Sequence, residues 1–191
     1  MIFQHVNVKL FVDGPMNVDW GRFIEVFHTW VAEQSLDELL IDVADYRHVP
    51  MGPGVILVGH EADYFMDNSA NRPGLKYNDK IERPGSNEDR FRHALRAAAI
   101  ACLRLEAELD GLKFDRHQIQ FCLNDRAFAP NNEETYQACQ AELPGLLSQV
   151  VGDGEYEILY DRDPRNLFGA DIKTPQSIDL QELAASPLFT G

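Results

Sequence analysis

The chain has 191 residues, of which 45% are hydrophobic, so one domain with a sizeable core is expected. Acidic residues outnumber basic ones by 31 to 17, and the net charge is −14. Such a surface repels phosphate backbones and anionic lipid head groups, which argues against nucleic acid and membranes as partners. No apolar stretch approaches the roughly 20 residues that span a bilayer. The opening residues show no basic start followed by a long apolar run, so we expect no secretory signal.

The first half of the chain predicts a strand, a helix and a pair of strands. Residues 3–13 alternate between apolar and polar, which is the period of a strand. Asp19 is suited to cap a helix that runs to about residue 34 with a wide apolar stripe. Two apolar runs then predict strands at 39–46 and 55–64, joined by a loop rich in proline and glycine.

The middle of the chain predicts a long loop followed by a helix. Residues 66–86 are rich in Gly, Pro, Asn and charge, and long loops in compact domains are often functional. A short edge strand is expected within this loop, at 75–79. Ser86 and Asp89 have the spacing of a capping box, which predicts a helix from there to about residue 109.

The last third predicts one more helix between strands. Residues 117–123 alternate as a strand, and Asn131 is placed to cap a third helix that Pro144 should kink or split. Residues 156–160 predict the last strand, with 167–172 as its continuation beyond a bulge. A short helix near 178–185 ends the pattern.

This order of elements favours the α+β class. The helices are too few for a doubly wound sheet, and a hairpin lies in the middle. We expect a mostly antiparallel sheet with helices packed on one face, a ferredoxin-like unit with additions. Residues 1–174 would form a single domain, and 175–191 a short C-terminal helix and tail. Because such a fold hosts many functions, function has to be sought in particular side chains.

The hairpin at 39–64 provides a first candidate site. If its loop closes symmetrically, Asp42 lies opposite Glu61, and two carboxylates in register need a cation between them or a raised pKa. The groups expected to supply acid–base chemistry nearby are Asp45, His48 and His60. The alternative is that these are solvated strand ends with structural ion pairs.

Histidine and carboxylate side chains together also suit a divalent metal such as zinc, iron or manganese, which is the candidate cofactor. The expected ligands of this metal are His48, His60 and Asp63. The pattern lacks the HxxxH or HxH spacing of common metal motifs, and a slip of one residue in strand register would separate the ligands.

A basic segment provides a second candidate site. Seven of the 17 basic residues lie between positions 72 and 96. The start of the predicted helix adds partial positive charge, so the segment is suited to hold a carboxylate or phosphate. The residues expected to contact this ligand, including two polar residues after the strand at 117–123, are Arg72, Lys76, Tyr77, Lys80, Arg92, Arg96, Asn124 and Arg126. The alternative is that the arginines only neutralise neighbouring acids.

Nucleophilic and redox chemistry are not supported. GxSxG, CxxC, GxGxxG and P-loop motifs are absent from the sequence. The three scattered cysteines, which favour a reducing, cytoplasmic location, are Cys102, Cys122 and Cys139. They fall on predicted core faces, which argues against a reactive thiolate.

Two functions therefore remain from the sequence. The first is binding of a small anionic molecule, with a divalent metal as candidate cofactor, at the ends of the central strands. The alternative is a non-catalytic module for protein–protein interaction or homo-oligomerisation. In that case the long loop and the tail, with Leu188 and Phe189, would dock a partner subunit.

Overall fold

The computed structural model describes residues 1–152 and 154–186, and within them the chain forms one antiparallel sheet and four α-helices. The protein is therefore of the α+β class. The strands are β1 (Val6–Val12), β2 (Leu40–Tyr46), β3 (Gly54–Gly59), β4 (Ala62–Asp67), β5 (Gly74–Asp79), β6 (Phe114–Leu123), β7 (Glu157–Tyr160) and β8 (Phe168–Lys173). The helices are α1 (Trp20–Glu33), α2 (Asn87–Glu108), α3 (Glu133–Val151) and α4 (Leu180–Ala185). Leu188 and Phe189, which the sequence suggests for partner docking, lie outside the described residues.

The sheet has the order β2-β3-β4-β5-β1-β6-β8-β7. Each neighbouring pair is antiparallel. The ferredoxin-like unit is not confirmed, because three strands separate β1 from β2, the two strands that α1 connects. The strand expected at the sheet edge near residues 75–79 is instead β5, which lies in the interior between β4 and β1.

The β3–β4 hairpin differs most from the sequence expectation. The apolar pattern predicts one strand over 55–64, but the chain turns at His60 and Glu61. Neither residue is a usual turn former. Neighbouring main chain holds the turn instead: the His60 N–H donates to Leu39 O at 2.8 Å, and the Lys80 N–H donates to Glu61 O at 2.9 Å. The hairpin is thus stabilised by contacts that are distant in sequence.

Two expectations for the last third also change. Strand β8 pairs antiparallel with β7 rather than continuing it, because the intervening turn is closed by hydrogen bonds to Asp161 from Asp163 N and Asn166 Nδ2. Helix α3 runs unbroken through Pro144. Pro144 and Gln140 are both exposed, so water can satisfy the carbonyl that the proline leaves without an N–H partner.

The helices and the sheet enclose the hydrophobic core on one face of the sheet. Successive strand residues point to opposite faces. On the covered face, Phe91 of α2 packs against Phe121 with ring centroids 5.5 Å apart. Tyr136 of α3 packs against Tyr160 at 4.6 Å. Helix α1 packs against β2 and β3, and α4 packs against α2. The helices thus bury one set of alternating strand residues.

The other face of the sheet carries a buried ion pair. Lys9 Nζ lies 2.5 Å from Asp67 Oδ2, and both side chains are almost completely buried. Lys9 Nζ also donates to Arg72 O at 2.6 Å, and the Ser69 hydroxyl donates to Asp67 Oδ1 at 2.6 Å. These contacts fold the connection between β4 and β5 over this part of the face.

Two of the three cysteines occupy the expected core positions, whereas Cys122 lies opposite Asn7 on the uncovered face of the sheet. Cys102 and Cys139 are buried and Cys122 is half-buried. Burial raises the pKa of all three thiols, which keeps them protonated. Among the described helices, none is long and apolar enough to cross a membrane.

Candidate functional site

The hairpin register differs from the one that the sequence predicts. Asp42 lies opposite Val58, and Tyr46 lies opposite Gly54. The predicted pairing of Asp42 with Glu61 is therefore wrong. The reason is that Gly54 already belongs to β3 and pairs with Tyr46, so the loop is shorter than the predicted pairing of Asp42 with Glu61 requires. A bulge between Leu40 and Asp42 shifts the register further along the pair.

The candidate metal ligands do not meet. His48 and His60 lie at opposite ends of β3, whose 6 residues span about 20 Å. Asp63 accepts a hydrogen bond from Lys80 Nζ at 2.7 Å. Across residues 1–152 and 154–186, no group of three or more His, Cys, Asp and Glu side chains is arranged to hold a metal ion.

Asp45, expected as an acid–base group, forms an ion pair at the His48 end of the hairpin. The Arg47 guanidinium lies 2.8 Å from the Asp45 carboxylate. Hydrogen bonds from the Arg47 side chain and main chain lower the pKa of Asp45 to about 2. A carboxylate held ionised in this way is a poor proton carrier near neutral pH.

The predicted ligand-binding residues are divided among several places. On the uncovered face of the sheet, Arg72 pairs with Asp171 at 2.6 Å, and Lys76 Nζ lies 3.8 Å from Asp67. After β6, Asn124 donates to Asn78 Oδ1 at 2.9 Å. These contacts lie within the sheet and are typical of structural roles.

The remaining predicted ligand residues lie elsewhere. After β6, Arg126 donates to Arg165 O at 2.6 Å. On α2, Arg92 pairs with Glu88 at 2.6 Å. Lys80 donates to Gly59 O at 2.5 Å. Of the two residues left, Arg96 lines a cavity beside α2, and Tyr77 lies behind its wall, 3.1 Å from Nε2 of the lining residue His93.

This cavity of about 210 Å³ gathers charged and aromatic side chains. It lies between α2, the β3–β4 turn and the connection from α1 to β2. Its charged and aromatic lining residues are Asp37, Glu38, Glu61, Tyr64, Arg83, His93 and Arg96. We call it the Arg96 cavity. Its volume corresponds to about seven water molecules at roughly 30 Å³ each, so it suits a small ligand.

A chain of hydrogen bonds supports one wall of the Arg96 cavity. Arg83 Nη2 donates to the Tyr77 hydroxyl oxygen at 3.3 Å, and this oxygen lies 3.1 Å from His93 Nε2. The direction of the Tyr77–His93 hydrogen bond depends on the tautomer of His93: with the imidazole proton on Nδ1, Nε2 accepts from the Tyr77 hydroxyl. Burial, assisted by the charges of Arg83 and Arg96, lowers the pKa of His93 to about 4.

Arg83 is a support rather than a ligand contact. Its Nε lies 2.6 Å from Asp79 and its Nη1 lies 3.3 Å from Glu61. Together with the Nη2 bond to Tyr77, all three nitrogens donate to protein acceptors. Arg83 therefore joins the end of β5 to the β3–β4 turn and fixes the wall that they form.

Glu38 also lines the Arg96 cavity. Its Oε2 accepts the Ala62 N–H at 2.8 Å. Burial raises the pKa of Glu38, and it raises the pKa of Tyr64 well above the usual range. A carboxyl group whose pKa is raised in a cavity is a candidate proton donor.

The position of Glu38 depends on Gly59. A Cβ at residue 59 would lie 2.5 Å from Ala62 O and 2.6 Å from Glu38 Oε2. We therefore expect Gly59→Ala to lower the free energy of unfolding by about 1–3 kcal/mol, measured by urea denaturation. The matched control is Gly145→Ala on α3, where nothing lies within 4 Å. It should raise stability by about 0.5–1 kcal/mol. Equal effects of the two substitutions would contradict the close contact.

Arg96 is the cavity residue with an incomplete set of partners. Its Nη1 lies 2.9 Å from Asp37 Oδ2. Its Nε is buried and has no hydrogen-bond partner in the described part of the chain. A buried donor without an acceptor costs about 1–3 kcal/mol, so this N–H favours an added acceptor. The acceptor that a guanidinium binds best is a carboxylate or phosphate.

From the sequence, Arg96 is expected to contact the ligand and Tyr64 and Tyr77 to wall the pocket, whereas Glu38 and His93 are not predicted. One signal for His93 is present, because residues 93 and 96 are three apart and share a face of the predicted helix. Glu38 and Tyr64 reach the cavity only through the β3–β4 turn, which the sequence pattern does not predict.

The chain matches no protein-family model, no curated protein and no solved structure.

Proposed function

We propose that the protein binds a small organic anion, a carboxylate or a phosphate, in the Arg96 cavity. The observation that carries this proposal is the buried Arg96 Nε, which lacks an acceptor although the side chain lines a cavity. An incoming anion can accept from this N–H without removing Nη1 from Asp37. Hydrogen bonds between guanidinium and anion are among the stronger ones in proteins.

The acids of the cavity do not oppose an anion as strongly as their number suggests. Asp37 is paired with Arg96 at 2.9 Å, and Glu61 is paired with Arg83 at 3.3 Å. Burial raises the pKa of Glu38, the third acid, and the Ala62 N–H donates to its Oε2 at 2.8 Å.

The size of the cavity limits the class of ligand. Its volume of about 210 Å³ is below the roughly 300–1,000 Å³ of pockets that hold drug-sized molecules. We expect short mono- or dicarboxylates and small phosphates rather than nucleotides. The cavity also lies at the turn of the β3–β4 hairpin, where Glu61 contributes to its lining.

The test is a binding screen with a matched pair of arginine variants. Acetate, malonate, succinate and inorganic phosphate are screened by thermal shift and calorimetry, with ethylamine and putrescine as cationic controls. An anion present at 100 times its dissociation constant should stabilise the wild type by about 2.7 kcal/mol. Arg96→Gln should weaken its binding by about 10- to 100-fold, since hydrogen bonds to charged groups contribute about 1.5–3 kcal/mol.

Arg92→Gln is the control, because Arg92 lies one turn earlier on α2, pairs with Glu88 and does not line the cavity. It should bind the anion as the wild type does. Equal losses in the two variants would show that general charge, not the Arg96 cavity, attracts the anion. Binding of the amines alone would contradict the proposal.

A further inference from the structure

Strand β2 forms an outer edge of the sheet with exposed apolar side chains. Among the described strands, only β3 pairs with it. The described residues include nine exposed large hydrophobic side chains, and more than half of them lie on β2 and the segments beside it: Leu39, Ile41, Tyr46, Val49 and Met51. Natural sheets usually protect their edges from other strands, so an edge with this many exposed apolar groups is suited to pair with a partner.

The same edge is acidic. Residues 36–46 contain four acids and no basic residue. Asp42 and Asp45 lie on β2 itself, and only Asp45 is paired, with Arg47 at 2.8 Å, among the ion pairs of the described residues. A second copy of β2 would bring the same acids to the new strand pair, which disfavours self-association. The complementary partner is a strand that alternates basic and apolar residues.

The main chain limits where a partner strand can add. At one end, Gln34 donates to Leu40 O at 2.9 Å and accepts the Leu40 N–H at 3.0 Å, so these groups are occupied. At the other end, the Arg47 N–H donates to Asp45 Oδ1 at 3.0 Å. In between, the Val43 N–H donates to Asp42 Oδ1 at 2.8 Å. A basic side chain that pairs with Asp42 would release this N–H for a partner carbonyl.

We propose that β2 binds an extended segment of another protein by strand addition over residues 41–46. The segment alternates lysine or arginine with apolar residues. Its main chain continues the sheet, its apolar side chains pack on Ile41, and its cations pair with the neighbouring Asp42, since adjacent residues of a strand point to opposite faces. This mode of recognition derives affinity from main-chain hydrogen bonds and specificity from alternate side chains.

The test uses a synthetic peptide of alternating lysine and valine, labelled with fluorescein and measured by anisotropy. Ile41→Ser and Asp42→Asn should each weaken its binding by about tenfold or more, a loss expected when a buried apolar group or a charge pair is removed. The matched controls lie on the opposite edge strand, β7: Leu159→Ser and Glu157→Gln. Leu159 is also exposed, at 46%, and both controls should bind the peptide as the wild type does.

A second peptide, N-methylated on alternate backbone nitrogens, keeps the charge but cannot pair as a strand. It should not bind measurably. Equal binding of both peptides, or equal losses in the β7 controls, would overturn the proposal, because attraction would then depend on charge alone. Sedimentation analysis tests whether a second copy of this chain, rather than another protein, binds the β2 edge. A wild-type dimer that Ile41→Ser dissociates would assign the edge to a second copy and would also overturn the proposal.

Discussion

Asp67→Ala is expected to lower the free energy of unfolding by about 3–5 kcal/mol, because it leaves the Lys9 ammonium buried without a counter-charge. The two side chains are only 3% and 2% exposed, and Lys9 Nζ lies 2.5 Å from the Asp67 carboxylate. Burial lowers the pKa of Lys9, and Asp67 opposes this effect. Urea denaturation at neutral pH measures the change in stability.

Two further variants test whether the loss of stability comes from the burial of the Lys9–Asp67 ion pair. Arg165→Ala removes a pair at 2.5 Å whose arginine is 87% exposed, and it should change stability by less than about 1 kcal/mol. The double substitution Lys9→Met with Asp67→Leu should recover most of the loss, since two apolar side chains of similar volume need no partner. If Asp67→Ala costs no more than Arg165→Ala, the buried pair does not stabilise the sheet.

Lowering the pH from 7.5 to 5 should cost the wild type about 2 kcal/mol more stability than it costs His93→Gln. The pKa of His93 is lowered from 6.5 to about 4 in the folded protein. Its contribution to stability is therefore fully present above pH 6.5 and is lost as the pH falls toward 4. At pH 5 the unfolded chain binds a proton at this histidine and the folded chain does not.

Urea denaturation of the wild type and His93→Gln at pH 7.5 and pH 5 measures this difference in pH dependence. Glu38 acts with the opposite sign: its raised pKa gives stability that is present below 4.5 and is lost as the pH rises. The contribution of Glu38 to stability is present in both the wild type and His93→Gln, so it cancels when the two are compared. His28→Gln on α1 is the control, because His28 is exposed, and it should follow the wild type. If His93→Gln loses as much stability as the wild type between pH 7.5 and pH 5, His93 is not a buried, neutral histidine in the folded protein.

The helices could be predicted because their signals are local. Ser86 accepts the Asp89 N–H and Asp89 accepts the Ser86 N–H, as the capping box predicts, and the helix follows directly. Asp19 likewise accepts the Gly21 N–H at the start of α1. Each of these signals is complete within one turn of helix, so no knowledge of the sheet is needed to recognise it.

The strand pairing could not be predicted in the same way. The turn at His60 and Glu61 is held by Leu39 and Lys80, both distant in sequence. Without that turn, the hairpin register is wrong and β4 merges with β3. The candidate site shares this limit: Arg96 belongs to an obviously basic segment, whereas Glu38 and Tyr64 join it only when the register is known.

The place of β1 in the sheet also bears on how the protein is made. This strand lies between β5 and β6, so residues 6–12 pair with residues 74–79 and 114–123. On the ribosome, β1 emerges long before either neighbour and stays an unpaired edge until residue 123 is available. Contacts of such sequence separation give a high contact order and slow folding. During synthesis the apolar residues of β1, such as Val8 and Leu10, are therefore exposed before both neighbouring strands exist, and exposure of this kind favours aggregation.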